Sequence, residues 1–507
     1  MDAVKSSFFY SLLLPLLNKI SYYWQRSAVN AFLTGIFVPG VKASGTYRFL
    51  TKEDRVYFLW KQILFHTIFD FLINLIPRLL SGLYKLIAKP LSVSLTGYIL
   101  DWLSDKSYVI FGLFLTAMLC IPYDVWSNSY GLIGAGAVFA LYYLWAAPRR
   151  LSSLIKISEL GPLYFVFLIV VVISFFFSEH PGLSLRFILF HFTSVLIVLY
   201  MLSIKDLKQL KTILYFVAVG LFIASCYGCY QIATGVKYLA YQLDAVLNPG
   251  IKGRIYSFFD NPNDYASYYV MLLPFVFALL ITAKKLLAKA FCLLTIGISI
   301  VAVGATYSRG CWLALILAIF IFALLVNWRS VFVLILLGLA AVPLLPDTIV
   351  TRLSTIGNKD DTSFKYRLNI FESFLRLLKD YWKTGVGLGT DVTFKLLHDY
   401  PPMPDGHFAL HSHNNYLQMC SEIGIIGTFS YVAVLLHKLR CAAAAVQAGI
   451  NRDLKIVLSA AVGAMCGIMV AGLMDYTWYY PRTMFYFWFL FGVLALCLKL
   501  ARQAEQE

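Results

Sequence analysis

Apolar stretches near the start of the chain, such as FFYSLLLPLL and FLINLIPRLL, are cut by charge or proline before about twenty residues have passed. From residue 107 onward the pattern changes. Continuous apolar windows of roughly the twenty residues that cross a hydrocarbon core recur to the C-terminus, without the alternation of barrel strands. They fall at 107–123, 129–147, 160–178, 185–203, 210–231, 263–283, 287–305, 309–327, 330–346, 414–436, 454–474 and 483–500. The pattern predicts an all-α integral membrane protein with about twelve spanning helices.

Four regions follow. Residues 1–106 read as a cytoplasmic, amphipathic extension on the membrane surface, their 12 basic and 6 acidic residues suiting an anionic leaflet. Residues 107–346 hold the first nine spans, 347–413 form a long polar loop, and 414–507 carry the last three spans and a short tail. Loops of that length are usually functional. Within it Phe364, Leu368, Phe371, Leu375, Leu378 and Trp382 recur at helical spacing, with Glu372, Arg376, Lys379 and Lys383 on other faces. This predicts an amphipathic helix over the mouth of the bundle, ended by Gly385-Val386-Gly387-Leu388-Gly389. That glycine run follows no strand and reads as a turn, not a nucleotide site.

Composition agrees with a membrane protein: 60% of residues are hydrophobic, 13% are charged, and the mean hydropathy is +0.75. Lysines and arginines cluster in alternate connections, at Arg149, Arg150 and Lys156, at Lys205, Lys208 and Lys211, at Lys284, Lys285 and Lys289, at Arg329, and from Lys438 to Lys455. Those connections are expected to be cytoplasmic, with both termini, so that loops 232–262 and 347–413 face outward. The net charge of +16 then serves insertion and attraction to membrane lipids, and no nucleic acid is expected as a partner. Nine cysteines fall mostly in the predicted spans, and Cys226 and Cys229 read as packing residues, not a redox pair. No A-x-A cleavage pattern marks a signal peptide.

Candidate chemistry collects on the outward side. His413 stands where the polar loop gives way to an apolar helix, and an imidazole titrates near neutrality, as a general base should. Arg254, Arg309 and Arg367 lie on the same side. Taken singly, each arginine is more often an anchor snorkelling to the interface. Together they suit the two-pronged binding of phosphate oxygens, hence a diphosphate leaving group. Asn414 suits a helix cap, and His411 is either a supporting group or loop. Glu422, nine positions past His413, falls on nearly the opposite helix face. Asp475 is the better carboxylate to orient the imidazole, although a salt bridge with Arg482 competes. The run Tyr476-Thr477-Trp478-Tyr479-Tyr480 suits an outer aromatic belt or a platform for sugar rings. Asp360-Asp361 beside Asp391 is too sparse for a metal site, and neither metal nor other cofactor is expected.

The stretch His413-Asn414, nine residues, Gly424, two residues, Gly427-Thr428-Phe429 resembles the signature of the O-antigen ligase and polymerase superfamily of bacterial membrane glycosyltransferases, with Phe429 at a position often held by tryptophan. Phe259-Asp260-Asn261-Pro262-Asn263, Ser308-Arg309-Gly310-Cys311-Trp312, and Arg367 ahead of the Gly385–Gly389 turn resemble its other recurring stretches, so the likeness covers roughly residues 210–440. It implies catalytic roles for Arg309, Arg367, His413 and Asp475, with Arg254, Asn414 and His411 as substrate-binding candidates. It also implies an undecaprenyl-diphosphate-linked glycan donor and metal-independent, inverting transfer at the periplasmic face of the bacterial inner membrane. Acceptors differ within the superfamily: a lipid A-core sugar for ligases, a second lipid-linked glycan for polymerases, a protein hydroxyl for oligosaccharyltransferases. Ligase is the first reading, and a lipid-linked polysaccharide transporter the alternative of another class. Residues 1–106 depart from the family pattern as a long extension.

Overall fold

Every one of the twelve apolar windows lies on a helix, and no strand occurs among the described residues. A computed structural model describes residues 55–126, 128–149, 157–236, 250–356, 362–400 and 409–504, with scattered positions from 19 to 45. Residues 1–53 are a compact unit of their own, in which the short helices Ala28–Phe32 and Val38–Ala43 are described. Arg150, Lys156 and the Asp360-Asp361 pair lie outside the described residues.

The larger unit begins with α1 (Arg55–Gln62), α2 (Leu64–Ser92) and α3 (Leu95–Asp105), and continues with α4 (Ser107–Cys120), α5 (Asn128–Arg149), α6 (Pro162–Phe176), α7 (Pro181–Ser203) and α8 (Leu207–Thr234). Then come α9 (Pro262–Thr282), α10 (Leu286–Ala305), α11 (Arg309–Asn327), α12 (Ser330–Ala341), α13 (Asp347–Ser354), α14 (Thr362–Tyr381) and α15 (Thr390–Leu397). The chain closes with α16 (Asn415–Gln447), α17 (Arg452–Ala471) and α18 (Pro481–Ala504).

By length and composition nine helices among the described residues can cross a membrane, or up to 11 if each of two bent pairs is one span. Four of the expected twelve are not among the nine: α4, α6 and α12 are short, at 14, 15 and 12 residues, with α4 meeting α3 at a 64° bend and α12 leading into α13 through one of 112°, and α5 counts only over Ser129–Tyr142. One of the nine was not expected. Helix α2 continues through Pro77 and Pro90 for 29 residues and packs against α5. A proline removes a single N–H bond, which need not end a long helix in an apolar setting.

Helix α18 is the axis of the bundle: every residue from Pro481 to Leu498 is buried, against α5, α7, α9 and α17. Helices α11 and α17 touch backbone to backbone at Gly463 and Gly467, where a Cβ would lie 2.4 Å from the Ala318 carbonyl and 2.8 Å from that of Ala314. Small residues four apart permit such close approach in membranes. All nine cysteines are free. Basic side chains tie the ends of helices together at one end of the bundle, with Lys211 on Asp453 at 2.5 Å, Lys499 on the Leu202 carbonyl at 2.8 Å, and Arg502 and Lys438 both on Glu159.

Helix α14 is amphipathic, but on a different face from the one the spacing suggests. Ile370, Phe374 and Leu377 are buried against Val386, Val392, Leu397 and Ala409, whereas Leu368, Leu375 and Trp382 are exposed. The helix carries two apolar stripes, and periodicity cannot say which one meets protein.

The loop after α14 docks into a break in α16. Gly424 has φ 70° and ψ 175°, so the helical ladder is interrupted there. The carbonyls of Ser421 and Glu422 accept the N–H groups of Val386 and Gly387 at 2.8 and 3.2 Å, and the Ile425 N–H donates to the Trp382 carbonyl at 2.9 Å. Only glycines allow this approach: a Cβ on Gly424 would stand 2.2 Å from the Lys383 carbonyl oxygen, and one on Gly385 2.4 Å from that of Glu422. The glycine run is therefore a docked turn. Replacing Gly424 by alanine is expected to destabilise the folded chain by at least about 1–3 kcal/mol, read as a lowered thermal midpoint in detergent; an unchanged midpoint would contradict the docking account.

Candidate active site

The site forms where the N-termini of α9, α11 and α16 meet the loop between α17 and α18. Asn414 is the N-cap of α16, its side-chain oxygen accepting from the N–H groups of Tyr416 and Leu417, both at 2.9 Å. Its amide nitrogen reaches the Leu473 carbonyl at 3.0 Å. Asn415 adds three bonds to the same loop, donating its N–H to the Gly472 carbonyl at 2.6 Å and accepting the Thr477 N–H at 2.9 Å and the Thr477 hydroxyl at 3.2 Å. The paired asparagines thus pin the loop that carries Asp475 beside the histidine that precedes them.

His413 Nδ1 lies 3.0 Å from Asp475 Oδ1. Oδ1 also accepts the Tyr476 N–H at 2.9 Å, and Oδ2 accepts from Asn263 Nδ2 at 3.1 Å. Burial alone would raise this carboxyl, but the His413 hydrogen bond and the charges of His413, His411 and Arg367 outweigh it and hold the group well below the usual carboxylate range. An ionised Asp475 selects the tautomer with the proton on Nδ1. Nε2 then carries the lone pair, on a ring that is 28% exposed, and it makes no hydrogen bond to a described residue. The backbone of His413 has φ 50°, a conformation rare outside glycine. It is held by the neighbouring bonds, Ser412 N–H to Gln418 Oε1 at 2.9 Å and His413 N–H to His411 Nδ1 at 3.2 Å.

The arginines divide. Arg254 is buried, with Nε on the Thr306 carbonyl at 2.7 Å and Nη2 on Asn263 Oδ1 at 2.6 Å, so Asn263 links it to Asp475. Burial, and then the neighbouring Arg352, push its guanidinium down to about 9. Arg367, on α14, is half-buried; its charge acts on Arg254, His411 and Asp475, and its neighbour Tyr366 sets its ring edge-on to His413 at 6.4 Å. Arg309 turns to α13, donating from Nη1 to the carbonyl and hydroxyl of Thr355 at 2.9 and 2.8 Å.

Asp475 pairs with His413 and not with Arg482, which donates to the Ile121 carbonyl at 3.0 Å and lies over the rings of Trp126 and Phe259. Nor is the aromatic run an outer belt throughout: Tyr476 and Trp478 are buried, Trp478 among Tyr431, Phe487 and Trp488. Only Tyr479 and Tyr480 of its rings reach the rim, Tyr479 against His411 with ring centres 4.6 Å apart. The chain turns between α17 and α18, which sends adjacent rings in opposite directions.

Sequence reasoning missed Arg352, Gln418 and the role of Asn263, although Asn263 stands in a stretch already singled out. It also left Glu422 without a role. Glu422 does not touch the imidazole; it accepts the Gly389 N–H at 2.9 Å and bonds to Gln418 at 2.9 Å and to the Tyr476 hydroxyl at 3.3 Å, supporting the site from behind.

The ligand atoms of His411, His413 and Asp475 lie within 4.8 Å of one another, close enough to share a metal ion. The positive charge of Arg254 and Arg367 beside them opposes a divalent cation and favours an anion. The arrangement is suited to taking a proton at Nε2 of His413 next to a place where negative charge is welcome.

Burial, reinforced by the charge of His413, pushes the His411 imidazole down to about 3. Between that value and the roughly 6.5 of a free imidazole, the unfolded chain binds a proton that the native chain refuses, so stability rises with pH across the window. Melting temperatures at about pH 7 and about pH 4.5 should therefore differ less in His411→Gln than in the unaltered protein; an equal difference would show that His411 does not carry this sensitivity.

No curated protein matches the chain. The family model described as O-antigen ligase matches residues 294–432, a stretch that contains Arg309, Arg352, Arg367, His411, His413 and the broken start of α16. The match covers less than half of the chain, and over that stretch it supports the resemblance to the O-antigen ligase and polymerase superfamily.

Proposed function

We propose that the protein transfers a glycan from undecaprenyl diphosphate to a hydroxyl acceptor, a lipid A-core sugar in the ligase reading, at the outer face of the bacterial inner membrane. The observation that carries the reading is the His413–Asp475 pair, with Nε2 of the imidazole turned away from the carboxylate and arginine charge close by. The acceptor oxygen attacks the anomeric carbon as the bond from that carbon to the diphosphate oxygen breaks. His413 takes the hydroxyl proton at Nε2, and Asp475 stabilises the imidazolium that forms. The electron pair leaves on the diphosphate, where Arg254 and Arg367 meet the growing charge. A single displacement inverts the anomeric centre. The positive charge comes from side chains, so the reading calls for no metal, and the match to the O-antigen ligase family model supports a lipid-linked donor.

The outward orientation rests on the clustering of basic residues in alternate connections. Lys211, Lys438 and Arg502 tie helices together at one end of the bundle, whereas the site gathers at helix N-termini that carry none of those ties.

Purified protein in liposomes with an undecaprenyl-diphosphate oligosaccharide should release undecaprenyl diphosphate once lipid A-core is added, without nucleotide. Reaction only with a second lipid-linked repeat, or only with a protein, would move the function to polymerase or oligosaccharyltransferase. Movement of the donor across the bilayer with its glycosidic bond intact would identify a transporter and sink the proposal. His413→Ala is expected to lower turnover by about 10²–10⁴-fold, and Asp475→Asn by at least about 10²-fold, with donor still bound; full turnover in His413→Ala would remove the general base.

A further inference from the structure

The turn that precedes α11 accepts two arginines on successive carbonyls. Arg254 Nε donates to Thr306 O at 2.7 Å and Arg352 Nε to Tyr307 O at 3.3 Å. Arg352 is buried, and its charge is the strongest charge acting on Arg254. Two guanidinium groups set on successive carbonyls of one turn bring two planar forks of N–H donors to the same place, the arrangement that an anion with two charged groups would engage.

Considerable structure goes into this juxtaposition. After α12 and the short turn Val342–Leu344 the chain bends by 112°, so that α13 doubles back. The returning helix is fastened to the turn at both ends: Thr348 Oγ1 lies 3.1 Å from the Tyr307 hydroxyl, and Arg309 donates to the Thr355 carbonyl and hydroxyl. The same Thr355 hydroxyl donates to the Arg352 carbonyl at 2.8 Å. Tyr307 itself has φ 50°, a conformation kept only where the surroundings enforce it. Arg309 therefore reaches Arg352 through one residue, at the helix end where carbonyl charge accumulates.

We propose that Arg352 is a binding residue for the diphosphate of the lipid-linked donor, paired with Arg254 on the Thr306–Tyr307 turn, and that Arg309 is the positioning residue that holds Arg352 there through Thr355. The inference rests on the donor chemistry proposed above. The arginines then have separate roles. Arg254 and Arg352 grip the diphosphate, Arg367 adds charge from the α14 side, and Arg309 fixes the helix that delivers the second grip.

The probes are farnesyl diphosphate and farnesyl monophosphate, titrated into the detergent-purified full chain by calorimetry. The unaltered protein is expected to prefer the diphosphate. Arg352→Gln should weaken diphosphate binding at least about tenfold, the cost of losing one charge-assisted contact, with little change for the monophosphate. Arg352→Lys keeps the stem and the charge, so the fold survives, and it should lose several-fold of the preference because the planar fork is gone. Arg309→Gln should reduce the same preference, and add nothing further in the Arg352→Gln background, as expected of residues acting through one another. Wild-type affinity and preference in both Arg352 variants would overturn the role of Arg352 while leaving the diphosphate reading intact. Additive losses would overturn the positioning role of Arg309. If the unaltered protein does not distinguish the two probes, the donor reading fails and this inference with it.

Discussion

The carboxylate of Asp475 is the interaction on which the site depends. It accepts from His413, from its neighbour's backbone and from Asn263, and Asn263 in turn holds Arg254. One half-buried anion thus fixes a tautomer, orients a guanidinium and joins three separate stretches of chain. Burying it is costly unless its oxygens are bonded and its charge is balanced. Hydrogen bonds from His413 and Asn263 and the nearby arginine charge supply that balance, so the group that sets up the proton acceptor is itself stabilised by the cations that receive the leaving group.

Geometry this demanding needs a rigid support, and the break in α16 provides it. At Gly424 the helix gives up its own hydrogen bonds to the turn Gly385–Gly389, and Glu422 closes the contact from below through the Gly389 N–H. Gln418 then links Glu422 to the backbone of Ser412, next to the strained His413. Gly424 of the family-like signature acts by permitting contact between main chains; its chemistry is packing, and the reacting group is positioned as a result. Placing donors and charges in advance, at the points where charge develops, is what lets a site favour the transition state over the ground state.

The arginines illustrate the same economy. Four of them bear on one region, yet they are placed differently: carbonyls of a turn hold Arg254 and Arg352, a helix terminus holds Arg309, and Arg367 stands half-buried on α14. The surrounding backbone carbonyls and Asp475 offset part of their mutual repulsion. A guanidinium stays charged under these conditions, whereas an amine in the same place would more readily give up its proton.

The order of residues alone was enough for the class of protein and for helices at the apolar windows, and it put forward His413, Asp475, Arg254 and Arg367 as candidates for one site, because continuous apolar runs must become helices in lipid and charge beside them needs a purpose. It was not enough to say which stripe of α14 would be buried, that α2 would run through its prolines, or that Tyr476 and Trp478 would turn inward, since each depends on what packs opposite. Arg352 was illegible for a related reason. Its importance comes from a 112° bend that carries α13 back to a turn more than forty residues earlier in the chain. Local pattern limits what a segment can become, and the folded chain selects which side chains meet, because hydrogen bonds and charge act over distances in space that bear no relation to separation along the chain.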